Sequence, residues 1–253
     1  MMDTTIAAAG LVLLAVAHSV LGETGVIRPL LAAEWTIADI PRWAADRLLR
    51  GAWHLTSLAW LGLAAITLDV APLTTVGVVA LASAALMFVV IRPHFAWPVF
   101  LLSGLGALRA DGALPEGAVR AGAGVTVVAL GLIGLLHLYW AGGGRWGHAA
   151  AVPVSPDGGP AFEPGPLLTA GVAVALFAFA ALVAAPLAGL EHGLITVAVA
   201  VGVFVLAVRA IGDGRQAGFS KSDRSSDFAV ADDRVFTPLV VLLAFGAAGS
   251  LLV

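Results

Sequence analysis

The run Leu167-Leu-Thr-Ala-Gly-Val-Ala-Val-Ala-Leu-Phe-Ala-Phe-Ala-Ala-Leu-Val-Ala-Ala-Pro-Leu187 contains no Lys, Arg, Asp or Glu. A helix of that length rises about 30 Å, the thickness of the hydrocarbon core of a bilayer. Outward from it, seven further stretches qualify or nearly do: Thr5–Leu21, Trp53–Leu68, Leu73–Ile91, His94–Leu108, Ala118–Trp140, Gly193–Val208 and Pro238–Val253. The charged residues fall at the ends of these stretches or between them, and none sits at the middle of one. The expected fold is an all-α membrane protein of eight transmembrane helices. They are read as two tandem, parallel four-helix units, 1–115 and 116–253.

Composition agrees. Of 253 residues, 60% are hydrophobic and 11% charged, and mean hydropathy is +1.00. A soluble domain carries about a quarter charged residues because water must solvate its surface. A net charge of −3 offers no basic balance for nucleic acid. The absence of cysteine excludes thiolate metal sites, disulfides and C-x-x-C-H haem attachment. Lys221 is the sole lysine and falls in a hydrophilic stretch, which argues against lysine chemistry inside the membrane. Met1-Met-Asp-Thr-Thr5 lacks the basic start of a signal peptide, so Thr5–Leu21 is read as a permanent span.

Basic residues orient the spans. Loops after the odd-numbered spans hold Arg28, Arg42, Arg47 and Arg50, then Arg92, then Arg145, then Arg209, Arg215, Lys221, Arg224 and Arg234. The opposite side holds only Arg109 and Arg120. The positive-inside rule makes the richer side cytoplasmic and puts both termini outside. Trp35, Trp43, Trp53, Trp140 and Trp146 gather at that cytoplasmic boundary, as in an aromatic belt. Within the first cytoplasmic loop, Asp39-Ile-Pro41 is a helix start, and Ile40, Trp43, Ala44 and Leu48 share one face. An interfacial helix near 39–50 is therefore expected. The stretch Gly142–Pro166 reads as a Gly- and Pro-rich linker, and Gly212–Asp233 as a hydrophilic cytoplasmic insert.

Landmarks recur in the same order in the two halves. His18 and His137 end the first span of each, Arg92 and Arg209 end each third span, and Phe95-Ala-Trp-Pro98 and Phe236-Thr-Pro238 open the fourth. Four spans per repeat is an even number, so the repeats point the same way through the membrane.

The candidate binding residues are His18, Glu23, His54, Arg92, His94, His137, Tyr139, Trp140, Arg209 and Asp213, gathered at cytoplasmic span ends. Ionisable groups near membrane depth are costly and mark functional sites by default, although charges also end helices simply because they cannot go deeper. His54 and Ser57 lie one helical turn apart, as do His137 and Trp140, and Arg209 can pair with Asp213 at i, i+4. His18, His54, His94 and His137 are the candidates for haem or metal-ion ligands, although no i, i+4 His pair or carboxylate cluster supports a metal. No Walker-type glycine motif is present, so Gly142-Gly-Gly-Arg145 reads as a turn rather than a phosphate cradle. Ser19, Ser57 and Ser103 are expected to bond back to their own helices. Gly122, Gly124, Gly131 and Gly134 are expected to mark close helix approach.

From His137-Leu-Tyr-Trp-Ala-Gly-Gly-Gly-Arg-Trp-Gly147 onward, the second half resembles the domain-of-unknown-function 3995 family of bacterial integral membrane proteins, whose signature is H-x-Y-W-A-x-G-G-x-W-G. The resemblance continues through Val152-Pro153, Arg209-Ala-Ile-Gly-Asp-Gly-Arg-Gln-Ala-Gly-Phe219, Phe228, Asp232 and Phe236-Thr-Pro-Leu239, covering about residues 125–253. It implies a four-helix domain, placed in the bacterial cytoplasmic (inner) membrane, and no activity. His18-Ser-Val-Leu-Gly-Glu23 and Arg50-Gly-Ala-Trp-His-Leu-Thr-Ser57 resemble other small uncharacterised bacterial membrane proteins. Three functions stay open. The first is binding or transport of a small solute or ion at a cytoplasm-facing His/Arg site. The others are a haem- or metal-binding redox role and a non-catalytic accessory subunit that docks an unidentified membrane or cytoplasmic partner.

Overall fold

The computed structural model describes residues 2–34, 41–90, 96–155 and 159–253. Its long elements are helices: α1 (Met2–Gly22), α2 (Arg42–Thr67), α3 (Pro72–Val90), α4 (Ala96–Ala110), α5 (Glu116–Ala141), α6 (Pro166–Leu187), α7 (Gly193–Ile211) and α8 (Thr237–Gly249). Two of them are extended by a π turn. Glu23–Ile27 carries α1 into Arg28–Ala32, and Asp232–Phe236 joins Asp227–Ala231 to α8. Among the described residues no strand forms, and an isolated antiparallel bridge links Val154 and Pro160.

Six runs are long and apolar enough to cross a membrane: Asp3–Ala32, Pro72–Val90, Glu116–Ala141, Pro166–Leu187, Gly193–Ile211 and Asp227–Leu252. The helix α2 is long, but its first turns carry Arg42, Asp46, Arg47 and Arg50. The helix α4 has 15 residues, a rise of about 22 Å. The outer faces suit lipid, since Leu167, Leu194 and Val125 are 87%, 74% and 70% exposed. Inside, small and slightly polar residues sit where helices meet, including Ala123, Thr126, Ala173 and Ala247. That arrangement is expected where lipid, not water, is the surrounding solvent, because association then rests on close packing.

The chain divides into two compact units, Met1–Leu114 and Pro115–Val253. In the first, α1 packs on α2, α2 on α3, and α3 on α4. In the second, α5 packs on α6 and α8, and α7 packs chiefly on α8. Leu130, Val183, Val199, Leu243 and Ala247 form the core of the second unit.

Several expectations need correction. The helix expected near 39–50 is continuous with the one that follows: α2 runs unbroken from Arg42 to Thr67, while Asp39 and Ile40 lie outside the described residues. The Gly142–Pro166 linker contains a helical turn, His148–Ala151, and the Val154–Pro160 bridge. The insert Gly212–Asp233 is helical from Asp227 onward and so leads directly into the last span. Of the four glycines expected at close approaches, only at Gly134 would a Cβ meet a neighbour, the Phe177 ring; at Gly122, Gly124 and Gly131 it would meet open space. The tight crossing of α5 is made instead by Gly246 of α8, whose Cβ would collide with Thr126 Oγ1 and lie 2.9 Å from the Gly122 carbonyl.

Candidate functional site

Two constellations of polar side chains form, one in each unit. In the first unit, His54 and Ser57 sit one turn apart on α2 and both reach α1. Ser19 Oγ lies 3.0 Å from His54 Nδ1 and 2.8 Å from Ser57 Oγ. Ser57 Oγ in turn lies 3.2 Å from His18 Nδ1. Ser19 and Ser57 thus bond across the helix pair, not back to their own helices. The His18 ring stacks on Trp53 (4.5 Å, 11°) and meets the edge of Trp60 (4.8 Å, 75°). Trp53 Nε1 donates to the His18 carbonyl at 2.9 Å. The Trp53 indole lies against Gly22, where any Cβ would overlap it.

Glu23 opens the π turn at the end of α1. A π turn inserts a residue and rotates the helix beyond it, a device common at functional positions. Here the carboxylate faces Arg50 Nη2 at 3.0 Å, Arg28 Nε at 3.3 Å and His54 Nε2 at 3.6 Å. A groove of about 520 Å³ runs beside this cluster. Ser19, His54 and Ser57 line it together with Val16, Val20, Leu58, Leu61 and Leu86.

In the second unit the polar groups sit at one end of an apolar cavity of about 650 Å³. The walls come from α5, α6 and α8, with Ile133, Leu136, Leu168, Val172, Leu239 and Leu243 among the lining residues. His137, Trp140, His148 and Arg209 supply the polar lining. His137 Nδ1 donates to the Ile133 carbonyl at 2.8 Å, which fixes the ring's tautomer when neutral and leaves Nε2 as an acceptor. Its ring meets Trp140 at 4.9 Å, and Trp140 Nε1 donates to the Trp146 carbonyl at 2.8 Å. Tyr139 lines a different contact: its ring fills the space where Gly144 has no side chain.

Arg209 does not pair with Asp213. Its Nη2 donates to Asp232 Oδ1 at 2.6 Å, and its Nη1 is buried with no partner among the described residues. The carboxylate of Asp232 is fully buried and serves four donors. Besides Arg209 these are Gly218 N at 2.8 Å, Lys221 Nζ at 3.0 Å and Thr237 Oγ1 at 3.0 Å. Lys221, expected as a solvated loop residue, is itself fully buried and also pairs with Asp233 at 2.5 Å. Asp213 instead folds its own loop, its Oδ1 accepting from the backbone N–H groups of Arg215, Gln216 and Ala217. Burial pushes its pKa up, but those N–H groups outweigh it and hold the carboxyl below the usual aspartate range. The loop closes at Gly212 and Gly218, both at positive φ, where added side chains would strike backbone atoms.

Of the predicted site residues, His18, Glu23 and His54 come together in the first unit, and His137, Trp140 and Arg209 in the second. Asp213 and Tyr139 support loops. Arg92 and His94 lie outside the described residues. Among the described residues, no group of three His, Cys, Asp or Glu side chains is placed to hold a metal ion. Sequence reasoning missed Ser19, Lys221 and Asp232 as members of these constellations. Asp232 did carry signals, being part of the family-like signature and standing close to the sole lysine.

A family model described as "Protein of unknown function (DUF3995)" matches residues 130–247. The match spans the His137–Trp140 turn, Arg209 and Asp232, and bears out the resemblance over the second half. No curated protein matches the chain, and no solved structure does.

Proposed function

We propose that the second unit binds an anionic amphiphile, with the apolar chain in the cavity between α5, α6 and α8 and the acidic head group on Arg209. One observation carries this reading: an apolar cavity of about 650 Å³ has Arg209 in its lining, and Nη1 of that side chain is buried without a partner among the described residues. An unsatisfied buried charged donor is costly, and an incoming carboxylate or phosphate oxygen relieves that cost. Trp140 and His137 line the same end of the cavity.

The test is titration of the purified protein with laurate and with dodecanol, read by tryptophan fluorescence. Laurate is expected to bind about 10- to 100-fold more tightly, the value of one charge-assisted hydrogen bond, and Arg209→Gln is expected to abolish the difference. Equal binding of acid and alcohol by the unaltered protein would remove the reading.

The membrane frame of the proposal is eight spans in two parallel four-helix units, with both termini outside and both constellations on the cytoplasmic side. It rests on the distribution of basic residues. The chain has no cysteine, so single cysteines can report orientation in cells directly. A cysteine at Gly112 should react with an impermeant maleimide from outside, and one at Gly143 should not. The reverse pattern would overturn the orientation.

A further inference from the structure

We propose that Ser19 of the first unit is a nucleophile for lipid esters, activated by His54 and Glu23. Three groups stand in the order that such activation needs: a hydroxyl, an imidazole and a carboxylate. Ser19 Oγ lies 3.0 Å from His54 Nδ1, and the opposite ring nitrogen, Nε2, lies 3.6 Å from Glu23 Oε2. The carboxylate favours the proton on Nε2, which leaves the Nδ1 lone pair facing the hydroxyl. Arg50 and Arg28 hold Glu23 in place. Ser57 supplies a second hydroxyl 2.8 Å from Ser19 Oγ, backed by His18. Its hydroxyl can donate to an oxygen that gains charge on an attacked carbonyl.

The surroundings name the substrate class. Ser19, Ser57 and His54 are the polar residues of an otherwise apolar groove of about 520 Å³ lined by Val16, Val20, Leu58, Leu61 and Leu86. Such a groove fits an acyl chain, with its ester carbonyl beside Ser19. Helix pairs in membranes do use Ser and His as glue. A glue contact, however, needs neither a carboxylate behind the imidazole nor an open apolar groove in front of the hydroxyl.

In the reaction, Ser19 Oγ bonds to the acyl carbon while its proton moves to His54 Nδ1. The ester C–O bond breaks, and the proton passes from His54 to the departing alkoxide. Water, or a second alcohol, then attacks the acyl-serine and yields its proton to His54. The Ser19 ester bond breaks, the acid or new ester leaves, and His54 returns the proton to Ser19. No electrons are gained or lost overall.

The experiment treats the purified full-length chain in detergent with a long-chain alkyl fluorophosphonate and locates the adduct by peptide mass spectrometry. Ser19 is expected to be modified with loss of fluoride. Ser19→Ala should abolish the adduct, and His54→Ala should slow its formation by about 100-fold or more. His54→Gln keeps side-chain hydrogen bonding without a base and should be as slow, which separates base loss from misfolding if His54→Ala does not fold. Failure to label Ser19, or unchanged labelling in the folded His54→Gln variant, would overturn the proposal. Neither outcome touches the amphiphile cavity of the second unit, which uses other residues.

Discussion

Each unit places a carboxylate at the first residue of a π turn, and the two are used differently. Glu23 opens the turn after α1 and Asp232 opens the turn before α8. The Glu23 side chain is 19% exposed and gathers Arg50, Arg28 and His54 around it. Asp232 is fully buried and accepts from Arg209, Lys221, Thr237 and Gly218. The first carboxylate lies at the edge of a groove and leaves an imidazole poised. The second anchors an insert: it ties the loop Gly212–Ser226 to the start of the last span through Gly218 and Lys221. The same local distortion thus holds an open polar cluster in one unit and a buried structural centre in the other.

That contrast predicts unequal costs. Removing the Asp232 charge leaves Arg209 without its carboxylate and Lys221 with only Asp233. Breaking a buried ion pair from one side costs about 3–5 kcal/mol. Asp232→Asn is therefore expected to destabilise the protein by about that amount, as a large fall in thermal midpoint in detergent. Glu23→Gln removes a partly solvated ion pair and is expected to cost about 1 kcal/mol or less. Equal losses in the two variants would mean that the Asp232 cluster is hydrated in solution, and the contrast between the two carboxylates would collapse.

Much of the fold could be read from hydropathy, because a span is a property of consecutive residues. The run Leu167–Leu187 and the helix Pro166–Leu187 differ by one residue at the start. The polar pairings were less legible because they depend on distant elements. Spacing of i, i+4 put Asp213 beside Arg209, but the actual partner lies 23 residues on, across a loop whose shape depends on Gly212 and Gly218 avoiding each other's missing side chains. Lys221 read as solvated because composition around it is polar; tertiary folding of that loop buries it. The His54–Ser57 spacing did mark the face of α2 that meets α1. What it could not show was that His18 and Ser19, neighbours on α1, would meet that face with both side chains. Likewise the small-residue signal on α5 marked Gly134, which faces the Phe177 ring, but not Gly246 of α8, which makes the tighter approach to Thr126 and Gly122.

His18 and His137, paired as landmarks in the sequence reading, sharpen the comparison further, since their surroundings differ in the structure. His18 is held by three neighbours: its ring is stacked on Trp53, edged by Trp60 and joined to Ser57. His137 spends its Nδ1–H on its own helix and otherwise touches the rim residue Trp140 and the cavity. Replacing His18 by Ala removes an interhelical hydrogen bond, about 0.5–1.5 kcal/mol, and a stacked ring contact of similar size. A loss of about 1–3 kcal/mol is therefore expected for His18→Ala. His137→Ala gives up a hydrogen bond within one helix and an edge contact at a cavity, so its cost should stay below about 1 kcal/mol, while laurate binding to the second unit weakens. Thermal unfolding of both variants, paired with the laurate titration, separates the roles. If His137→Ala proves the more damaging to stability and leaves binding untouched, the histidine of the second unit is a packing residue as His18 is.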